Sequence, residues 1–499
     1  MKKLLLLIFA GAAGLLAQAP TIGAVVNSEL STGSTLCPGL LVSIYGTGFG
    51  SGATSTVVVL VGGQKGFVVA VAPTQVNVQL PFNAPIGATT VVVTTGGGSS
   101  APFNVTISSV APSVAVQGAT NTPDIYTAKN VLVTGSAPAN PGDALILYAS
   151  GLGQTNPAQT STPGSAALTA TLPTITVGGQ AATVFFSGYG GAGIYQVNFT
   201  VPKTVQGSVP LILSIDGQDS AAVTLPLFGI SAITSGASFL NTDTAAPEEI
   251  ISLFGNGLGS TNDLSGVFPS TTAKGVSVTF NGIAAPIFAL AATGSQINLI
   301  VPAELPTTGT VQVQLTTPTG TTANFPLIME TAVPGIFLTT DPSNAKAQIA
   351  AAQFANTVWL VVPTSTATAL QIPQNCTASK ANPLSICGQP AAPGDTLVVY
   401  LTGLGEATPK GDPSGTPLAT GVIAPVSGSP LYETTATPTV QLGGVAVTPL
   451  FSGIAPGTAG EYQIDFQVPT GVPEGDAVAL TVSMPGSTTG TATLAIHSR

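Results

Sequence analysis

A short sequence phrase occurs four times along the 499-residue chain and constrains its fold more than any other feature. Each copy begins with a proline, continues through apolar residues and ends with closely spaced glycines. A second phrase follows each copy and consists of a glutamine, alternating apolar and polar residues, and a proline. Recurrence of the same elements in the same order predicts an array of similar domains. The first phrase occupies residues 38–50, 141–153, 247–259 and 393–405, and the second occupies 75–81, 196–202, 296–302 and 463–469.

The second phrase is typical of a β-strand with one buried face. In its first copy, Val76, Val78 and Leu80 alternate with polar side chains, which is the two-residue period of a strand. The closing proline ends each strand because it cannot donate to a ladder. Gly-Gly or Asn-Gly pairs lie between the two phrases, and such pairs are favoured in two-residue hairpins that need positive φ. Because helical periodicity is almost absent, the sequence predicts an all-β fold.

The four copies are of two kinds, which indicates a duplicated pair of domains. From the glycine turn to the glutamine, the first and third copies run from 63 to 75 and from 282 to 296, whereas the second and fourth run from 179 to 196 and from 444 to 463. The longer copies share a glycine-rich insertion, so the order of units is A-B-A-B. We expect a signal peptide at 1–19 with cleavage near 17–19, unit A1 at 20–110, unit B1 at 111–228, unit A2 at 229–333, and unit B2 at 334–499 with an insertion that holds two cysteines.

Composition and the first residues predict an exported protein that does not bind nucleic acid. Charged residues make up 6% of the chain and hydrophobic residues 44%, which is enough apolar material for folded cores. The net charge is −10, and phosphate binding needs basic side chains. Lys2 and Lys3 before the apolar stretch Leu4–Leu16 are typical of a secretory signal. No later run reaches the ~20 apolar residues of a transmembrane segment, and residues 347–362 are better explained by two strands. The expected location is extracellular or the outer cell surface, with the periplasm as an alternative.

The chain contains three cysteines, two of which flank a short polar loop. In an oxidising compartment Cys376 and Cys387 are expected to form a local disulfide. Metal binding is the rival interpretation, but the loop between them carries no histidine and no second cysteine pair. Cys37 is expected to be a buried small hydrophobe rather than a reactive thiol.

The motifs of unit A resemble those of the IPT/TIG domain, an immunoglobulin-like sandwich. The resemblance is carried by the GTGFG element at Gly46–Gly50, the glycine turn Gly62–Gly63 and the strand Thr74–Pro81. It implies tandem immunoglobulin-like β-sandwich domains.

The whole A-B pair is similar to an uncharacterised C-terminal domain of secreted proteins from Solibacter-type Acidobacteria. The shared motifs are APGIF, PGDxxxLYxTGLG, VxxGGxxA and GxYQVNxxVP. The resemblance occurs twice and covers essentially the whole mature chain. Glu248 and Glu249 replace the usual Gly-Asp of the third copy, and Ser113 replaces the glycine of APGIF. The resemblance implies a fold and an exported location, and it supplies no catalytic residues.

The residue inventory argues against an enzyme and against a metal or cofactor site. The only histidine is His497, close to the end of the sequence, so a Ser-His-Asp arrangement has no base. Asp216 and Asp219 are few ligands for calcium, which takes six to eight oxygens, and a hairpin turn explains them better. Paired carboxylates are the other candidate for catalysis, but turn chemistry explains their repeated members better. These carboxylates are Asp143, Asp395, Glu248, Glu249, Glu461 and Asp465.

Two functions of different class fit the sequence. The favoured one is a non-catalytic secreted or cell-surface interaction or structural protein, with a role in adhesion and a protein or glycan partner. Its expected contacts are loops formed by the B-unit insertions, because loops on a rigid scaffold commonly carry binding. The residues of these candidate loops are Ser187, Gly188 and Tyr189 within 187–193, and Ser452, Gly453 and Ile454 within 452–460.

The alternative is a polysaccharide-binding accessory protein, with hydrolysis a more distant third. Such modules stack sugars on exposed aromatic rings. Five tyrosines at repeated positions are expected to serve packing instead: Tyr45, Tyr148, Tyr195, Tyr400 and Tyr462. That leaves four aromatic residues for stacking: Trp359, Tyr126, Tyr189 and Tyr432.

Overall fold

The structure is a computed structural model that describes residues 18–28, 35–118, 121–159, 167–259, 268–290, 294–374, 376 and 385–498. Strands dominate these residues, and the helical elements among them are the α-helix Thr364–Ala369 and the 3-10 turn Thr54–Thr56. No helix in this part of the chain is long and apolar enough to span a membrane. The chain forms two compact units, one of Met1–Val205 with Val209–Pro226 and one of Gln206–Ser208 with Leu227–Arg499.

The first compact unit begins with two facing antiparallel sheets that enclose a core. Alternate side chains such as Val42, Ile44, Val76, Val78 and Val91 point inward and are buried. The first sheet has the order Thr21–Asn27, Leu41–Thr47, Gln75–Gln79, Phe67–Ala72. The second has the order Gln64–Lys65, Val58–Val61, Gly87–Thr95, Gly98–Ser99, with Phe103–Ile107 also on Gly87–Thr95.

The remainder of this unit is an 11-stranded sheet that folds over on itself. Its long strand Gln180–Gly191 pairs at its start with Thr174–Val177 and further along with Ile194–Thr200, so one strand joins both layers. The main order is Ser113–Val114, Ala144–Ser150, Ile194–Thr200, Gln180–Gly191, Thr174–Val177, Ser208–Ile215, Gln218–Asp219. The side strands are Ile125–Thr127, Thr155–Asn156, Ala167–Thr169 and Val223–Pro226, and Val116–Gln117 pairs separately with Thr122–Pro123.

The second compact unit repeats the two-sheet arrangement at its start. Inward residues such as Leu253, Ile297, Leu299, Val311 and Val313 form the core. One sheet has the order Gly229–Ser235, Ile250–Asn256, Gln296–Ile300, Ile287–Leu290. The other has the order Thr244–Ala245, Phe325–Met329, Gly309–Thr317, Ser277–Phe280, Ile283–Ala284, with Gly320–Thr321 on Gly309–Thr317.

A nine-stranded and a six-stranded sheet complete the second unit around a shared core. The larger has the order Gly388–Gln389, Leu360–Val361, Ala352–Phe354, Thr396–Thr402, Tyr462–Gln467, Pro449–Ile454, Tyr432–Thr434, Ala407–Pro409, with Gly335–Ile336 on Thr396–Thr402. The smaller has the order Leu338–Thr339, Ile349–Ala350, Thr489–Ile496, Gly475–Ser483, Thr439–Leu442, Val445–Val447. The predicted all-β sandwich architecture is confirmed. The division into units A1, B1, A2 and B2 remains a prediction, and we keep these names for the residue ranges defined above.

The disulfide predicted between Cys376 and Cys387 is confirmed. Cys376 and Cys387 are bonded, with their Cα atoms 5.6 Å apart, and both side chains belong to the B2 core. Residues 377–384 between them lie outside the described residues. The apolar stretch 347–362 forms three short strands rather than the two that were expected.

The turns between the phrases have the predicted backbone conformation. In the first copy, Gly62 and Gly63 have φ values of 55° and 80°, and in the third copy Asn281 and Gly282 have 48° and 86°. Positive φ at both central residues is the requirement of a two-residue hairpin whose twist matches the flanking strands.

Candidate binding surface

The strands of the two repeated phrases lie side by side in every copy, with the same register. This register pairs an aromatic residue of the first phrase with the glutamine that opens the second. Neighbouring residues of paired strands on one face are close enough for their side chains to interact. The four pairs are Tyr45 with Gln75, Tyr148 with Gln196, Phe254 with Gln296, and Tyr400 with Gln463.

Each of these glutamines also bonds to a polar side chain two residues further along its own strand. The glutamine Nε2 donates to the carbonyl or carboxylate oxygen of that side chain, because residues i and i+2 share one face of a strand. The N–O distances are 2.7 Å for Gln75–Asn77, 2.8 Å for Gln196–Asn198, 2.8 Å for Gln296–Asn298 and 2.9 Å for Gln463–Asp465. We call each set of aromatic residue, glutamine and Asn or Asp an outer patch.

The outer patches correct the expectation that all five repeated tyrosines serve packing. Tyr195 and Tyr462 are buried as expected, and their hydroxyls donate to the carbonyl oxygens of Gly153 and Gly405 at 2.5 and 2.6 Å. In contrast, three tyrosines of the first phrase lie on the outer face, where Tyr45 is 39% exposed and the other two are half-buried. The three are Tyr45, Tyr148 and Tyr400.

The two-residue period of a β-strand explains this outward placement, and that period can be read from the sequence. In unit B1, Leu145 and Leu147 are fully buried, so Tyr148, one residue later, must face the other side of the sheet. Recurrence of an aromatic residue at this position, considered alone, predicts packing. The alternation around it indicates the outer face instead.

The outer patches of the B units carry a second aromatic residue that the A units lack. The phenylalanine that opens each B insertion pairs with the Asn or Asp of the patch, as Phe186 with Asn198 and Phe451 with Asp465. Alanines occupy the matching positions of the A units, where Ala70 pairs with Asn77 and Ala289 with Asn298. In a B patch, the Gln–Asn or Gln–Asp pair therefore lies between two aromatic residues, one on each neighbouring strand.

Each of these phenylalanine rings covers a glycine of the same strand. A Cβ atom added at Gly188 would lie 2.9 Å from the Phe186 ring, and one at Gly453 would lie 2.8 Å from the Phe451 ring. The glycine therefore gives the ring room to lie flat on the sheet. This contact explains why both insertions begin with Phe-Ser-Gly.

In unit B2 the outer patch lines a groove of about 540 Å³. Tyr400, Gln463 and Asp465 form one part of its wall, and Gln353 and Leu450 contribute to the rest. The Tyr400 hydroxyl donates to Gln353 Oε1 at 3.2 Å. Burial and the nearby carboxylates of Glu461 and Asp465 raise the pKa of Tyr400, so the hydroxyl keeps its proton and can donate a hydrogen bond.

The six residues named for the candidate loops lie in strands and most of them are buried, whereas residues 455–460 of the second insertion form turns and bends. Ser187, Gly188 and Tyr189 belong to strand Gln180–Gly191, and all three are buried, with Tyr189 only 1% exposed. The expected loop conformation is wrong because the antiparallel ladder continues through the insertion. The same holds in unit B2, where Gly453 and Ile454 are buried and Ser452 is half-buried within strand Pro449–Ile454.

These insertion residues instead connect the A and B units inside each compact unit. In the first, Gln79 Nε2 donates to the Tyr189 hydroxyl at 2.7 Å, and the Phe82 ring meets the Tyr189 ring edge-on at 5.3 Å. In the second, the Thr402 hydroxyl donates to the Gly460 carbonyl at 2.7 Å and accepts from the Ile250 N–H at 2.8 Å. Sequence patterns gave no signal for these contacts, since the partners are far apart in the chain.

The candidate carboxylates of the first phrase hold turns, and one of them is deeply buried. Asp143 and Asp395 each accept a hydrogen bond from the backbone N–H three residues earlier, at 2.7 Å in both cases. Glu249 occupies the same position and accepts from the Ala246 N–H at 2.9 Å. Glu248 replaces the turn glycine and keeps its positive φ, at 64°. In three of the four copies, the acidic side chain of Asp143, Glu249 or Asp395 therefore serves to hold the turn.

Burial raises the pKa of both glutamates where A2 and B2 meet. The pKa of Glu248 rises to about 7, with smaller contributions from the charges of Glu304 and Glu406. The pKa of Glu249 rises to about 8, and its Oε1 atom has no hydrogen-bond partner among the residues described. Both carboxyls are therefore expected to bind protons near neutral pH.

The remaining candidate residues lie apart from one another. Asp219 accepts from the Ser214 hydroxyl at 2.6 Å beside a hairpin turn, and the described residues contain no group of three or more His, Cys, Asp or Glu placed to hold a metal. His497 pairs with Asp476 on the surface at 2.8 Å. Cys37 is fully buried, and burial raises the pKa of its thiol to about 12, which keeps it unreactive.

The aromatic residues considered for sugar stacking differ in their surroundings. Trp359 is largely buried and meets Phe354 edge-on at 6.4 Å. Tyr126 is half-buried and meets Tyr148 at 5.9 Å, so it extends the outer patch of B1. Tyr432 is half-buried in strand Tyr432–Thr434.

No protein-family model matches the chain, and no curated protein matches it either. Several solved structures of low identity are similar to it. One is a full extracellular region of plexin A4, with 10% identity, a TM-score of 0.26, and coverage of 95% of this chain but 30% of that one. A second is SGBP-B of the mixed-linkage glucan utilization locus of Bacteroides ovatus, in complex with a mixed-linkage heptasaccharide, with 17% identity, a TM-score of 0.18, and coverage of 65% and 74%.

A third is SGBP-B from a complex xyloglucan utilization locus in Bacteroides uniformis, with 13% identity, a TM-score of 0.18, and coverage of 62% of this chain and 100% of that one. The chain spans less than a third of the plexin A4 region. At these scores the likeness carries no argument about function. The β-sandwich architecture of the chain is established by its own strand pairing.

Proposed function

We propose that this chain is a non-catalytic exported protein that binds at the cell surface or in the extracellular matrix through its outer patches. The observation that carries the proposal is the fourfold recurrence of an outward aromatic residue beside a hydrogen-bonded Gln–Asn or Gln–Asp pair. Core packing requires only the inward face of these strands. A repeated outward arrangement instead offers the same contact at intervals along the chain, as repeat proteins do on their binding faces.

The chemistry of the patches favours binding over catalysis. Amide groups donate and accept hydrogen bonds, and tyrosine combines an apolar ring with a hydroxyl, a combination enriched at binding surfaces. The patches lack a nucleophile with an adjacent base, which a covalent mechanism requires. Export is supported by the secretory signal predicted at 1–19 and by the disulfide. The domains would then be of the IPT/TIG type and of the secreted Acidobacteria type that the sequence resembles.

Binding of the labelled full chain to intact cells of the producing organism tests this proposal. A variant that combines Tyr45→Ala, Tyr148→Ala, Phe254→Ala and Tyr400→Ala is expected to bind at least about tenfold more weakly, the equivalent of 1.4 kcal/mol. Leu172→Ala combined with Val426→Ala is the matched control, because both side chains are highly exposed and outside the patches. Unchanged binding by the four-patch variant, with its circular dichroism intact, would refute the role of the patches.

A further inference from the structure

The groove of unit B2 has the composition of a site for an uncharged, hydroxyl-rich chain. Its lining includes the amides of Gln353, Asn356 and Gln463, the carboxylate of Asp465 and the ring of Tyr400. We propose that this groove binds a segment of neutral polysaccharide. The inference rests on the proposed function and specifies the ligand class of one of its patches.

The position of the groove on the sheet excludes an added peptide strand. Strand Thr396–Thr402, which carries Tyr400, is paired with Ala352–Phe354 on one side and Tyr462–Gln467 on the other. Its backbone groups are therefore used by its neighbours, whereas peptide binding by strand addition needs a free edge. The sheet strands of the groove therefore offer their side chains to its ligand.

The side chains of the groove match the hydrogen bonding of sugars. A sugar hydroxyl donates one hydrogen bond and accepts others, and an amide side chain does both as well. The carboxylate of Asp465 adds acceptors for hydroxyl protons and already accepts from Gln463 at 2.9 Å. The half-buried Tyr400 ring lies next to these groups and provides an apolar surface for the C–H face of a sugar ring.

The charge of the groove distinguishes neutral from acidic polysaccharides. Among the residues that the structure describes, the groove lining contains Asp465 and no lysine or arginine. Lys410 lies over the Phe451 ring, with its Nζ 5.8 Å from the ring centroid, but this ammonium is paired with Glu433 at 2.7 Å. An acidic chain would meet the Asp465 carboxylate with no cation among these lining residues to compensate, and like charges repel.

The single tryptophan of the chain provides a local signal for binding in this groove. Trp359 follows Val358, which lines the groove, and it contacts Phe354, which also lines it. Because no other tryptophan exists, its emission reports on this groove and not on the outer patches of the other units. The purified full chain is titrated with soluble mixed-linkage glucan, xyloglucan and galactomannan, and with polygalacturonate as the acidic comparison.

At least one neutral polysaccharide is expected to change the Trp359 emission with saturation, and polygalacturonate is expected to leave it unchanged. Tyr400→Ala should weaken that binding about tenfold or more, whereas Tyr400→Phe, which keeps the ring, should lie within about threefold. Leu450→Ala is a second variant of the groove, and its 62% exposure means that truncation leaves the fold intact. Val426→Ala, exposed in the same unit and outside the groove, should bind as the unmodified chain does.

Absence of a saturable response to all three neutral polysaccharides would overturn the inference. Binding that Tyr400→Ala and Leu450→Ala both leave unchanged would overturn it as well. If cell binding is still lost in the four-patch variant, the proposed function stands and the ligand class is wrong, with a surface protein as the partner. If cell binding also persists in that variant, the proposed function fails too.

Discussion

Gly151→Ala is expected to destabilise the first compact unit by roughly 3–5 kcal/mol, combining left-handed strain with steric overlap. Gly151 has φ 76°, and a Cβ atom there would lie 1.8 Å from the Ala111 carbonyl oxygen. The clash cannot be relieved by a rotamer change, because the Ala111 N–H donates to the Gly151 carbonyl at 2.8 Å and fixes both backbones. Hydrogen exchange of the full chain, followed by mass spectrometry, measures the loss peptide by peptide.

Gly217→Ala is the matched control for this substitution. Gly217 lies in the same compact unit with φ 77°, but nothing lies within 4 Å of an added Cβ atom. Its cost is therefore the backbone strain alone, about 1–2 kcal/mol. If the two substitutions lowered the stability by the same amount, the close approach of Gly151 to Ala111 would be contradicted.

The second compact unit is expected to lose stability as the pH rises from 5 to 8. The pKa of Glu249 rises from 4.5 in its ordinary environment to about 8 in the fold, mainly through burial. The protonated carboxyl is thus favoured by folding, so stability is complete below pH 4.5 and is lost as the pH rises through about 8. Since each pKa unit corresponds to 1.36 kcal/mol, the loss from this side chain is roughly 4–5 kcal/mol.

Glu249→Gln separates this effect from the general charge of the protein. The amide keeps an acceptor for the Ala246 N–H but carries no charge at any pH. Its stability relative to the unmodified chain should rise from near zero at pH 4 to roughly 4–5 kcal/mol at pH 8. Urea unfolding followed by Trp359 emission measures the second unit alone, because this tryptophan lies in it.

Exposed Glu474 provides the control, and Glu474→Gln should leave the pH profile unchanged. A pH profile of Glu249→Gln that parallels the unmodified chain would contradict the assigned burial of Glu249. Glu248, with a pKa of about 7, should contribute a similar but smaller loss that remains in the Glu249→Gln variant. The other titratable groups that affect the pKa values of Glu248 and Glu249 are Glu304, Glu330, Glu406 and Tyr462.

Local patterns in the sequence predicted the fold well. Period-two alternation around Val76 and Val78 gave the strands, and the Gly62–Gly63 pair gave the hairpin, because both depend on neighbouring residues alone. The Cys376–Cys387 bond was predictable because the two residues are close in the sequence and the expected export implies an oxidising compartment. Each of these predictions uses residues that are close together in the sequence.

The candidate surface was harder to predict because it depends on register and on distant contacts. The pairing of Tyr400 with Gln463 joins strands that are far apart in the sequence, and periodicity cannot supply such a register. The same reason explains why Tyr189 was expected in a loop, since its partners Gln79 and Phe82 belong to another sandwich. A polar, glycine-rich insertion looks alike in sequence whether it extends a strand or forms a loop.

Hydroxyl-radical footprinting of the purified full chain tests the placement of the repeated aromatic residues, with one outward in every copy and the tyrosine before the glutamine of each B copy inward. Oxidation of each tyrosine is quantified by mass spectrometry of peptides. We expect ready oxidation of Tyr45, Tyr148 and Tyr400 on the outer face, and protection of the buried Tyr195 and Tyr462. Comparable oxidation of both groups, or protection of the first group, would contradict this placement of the tyrosines.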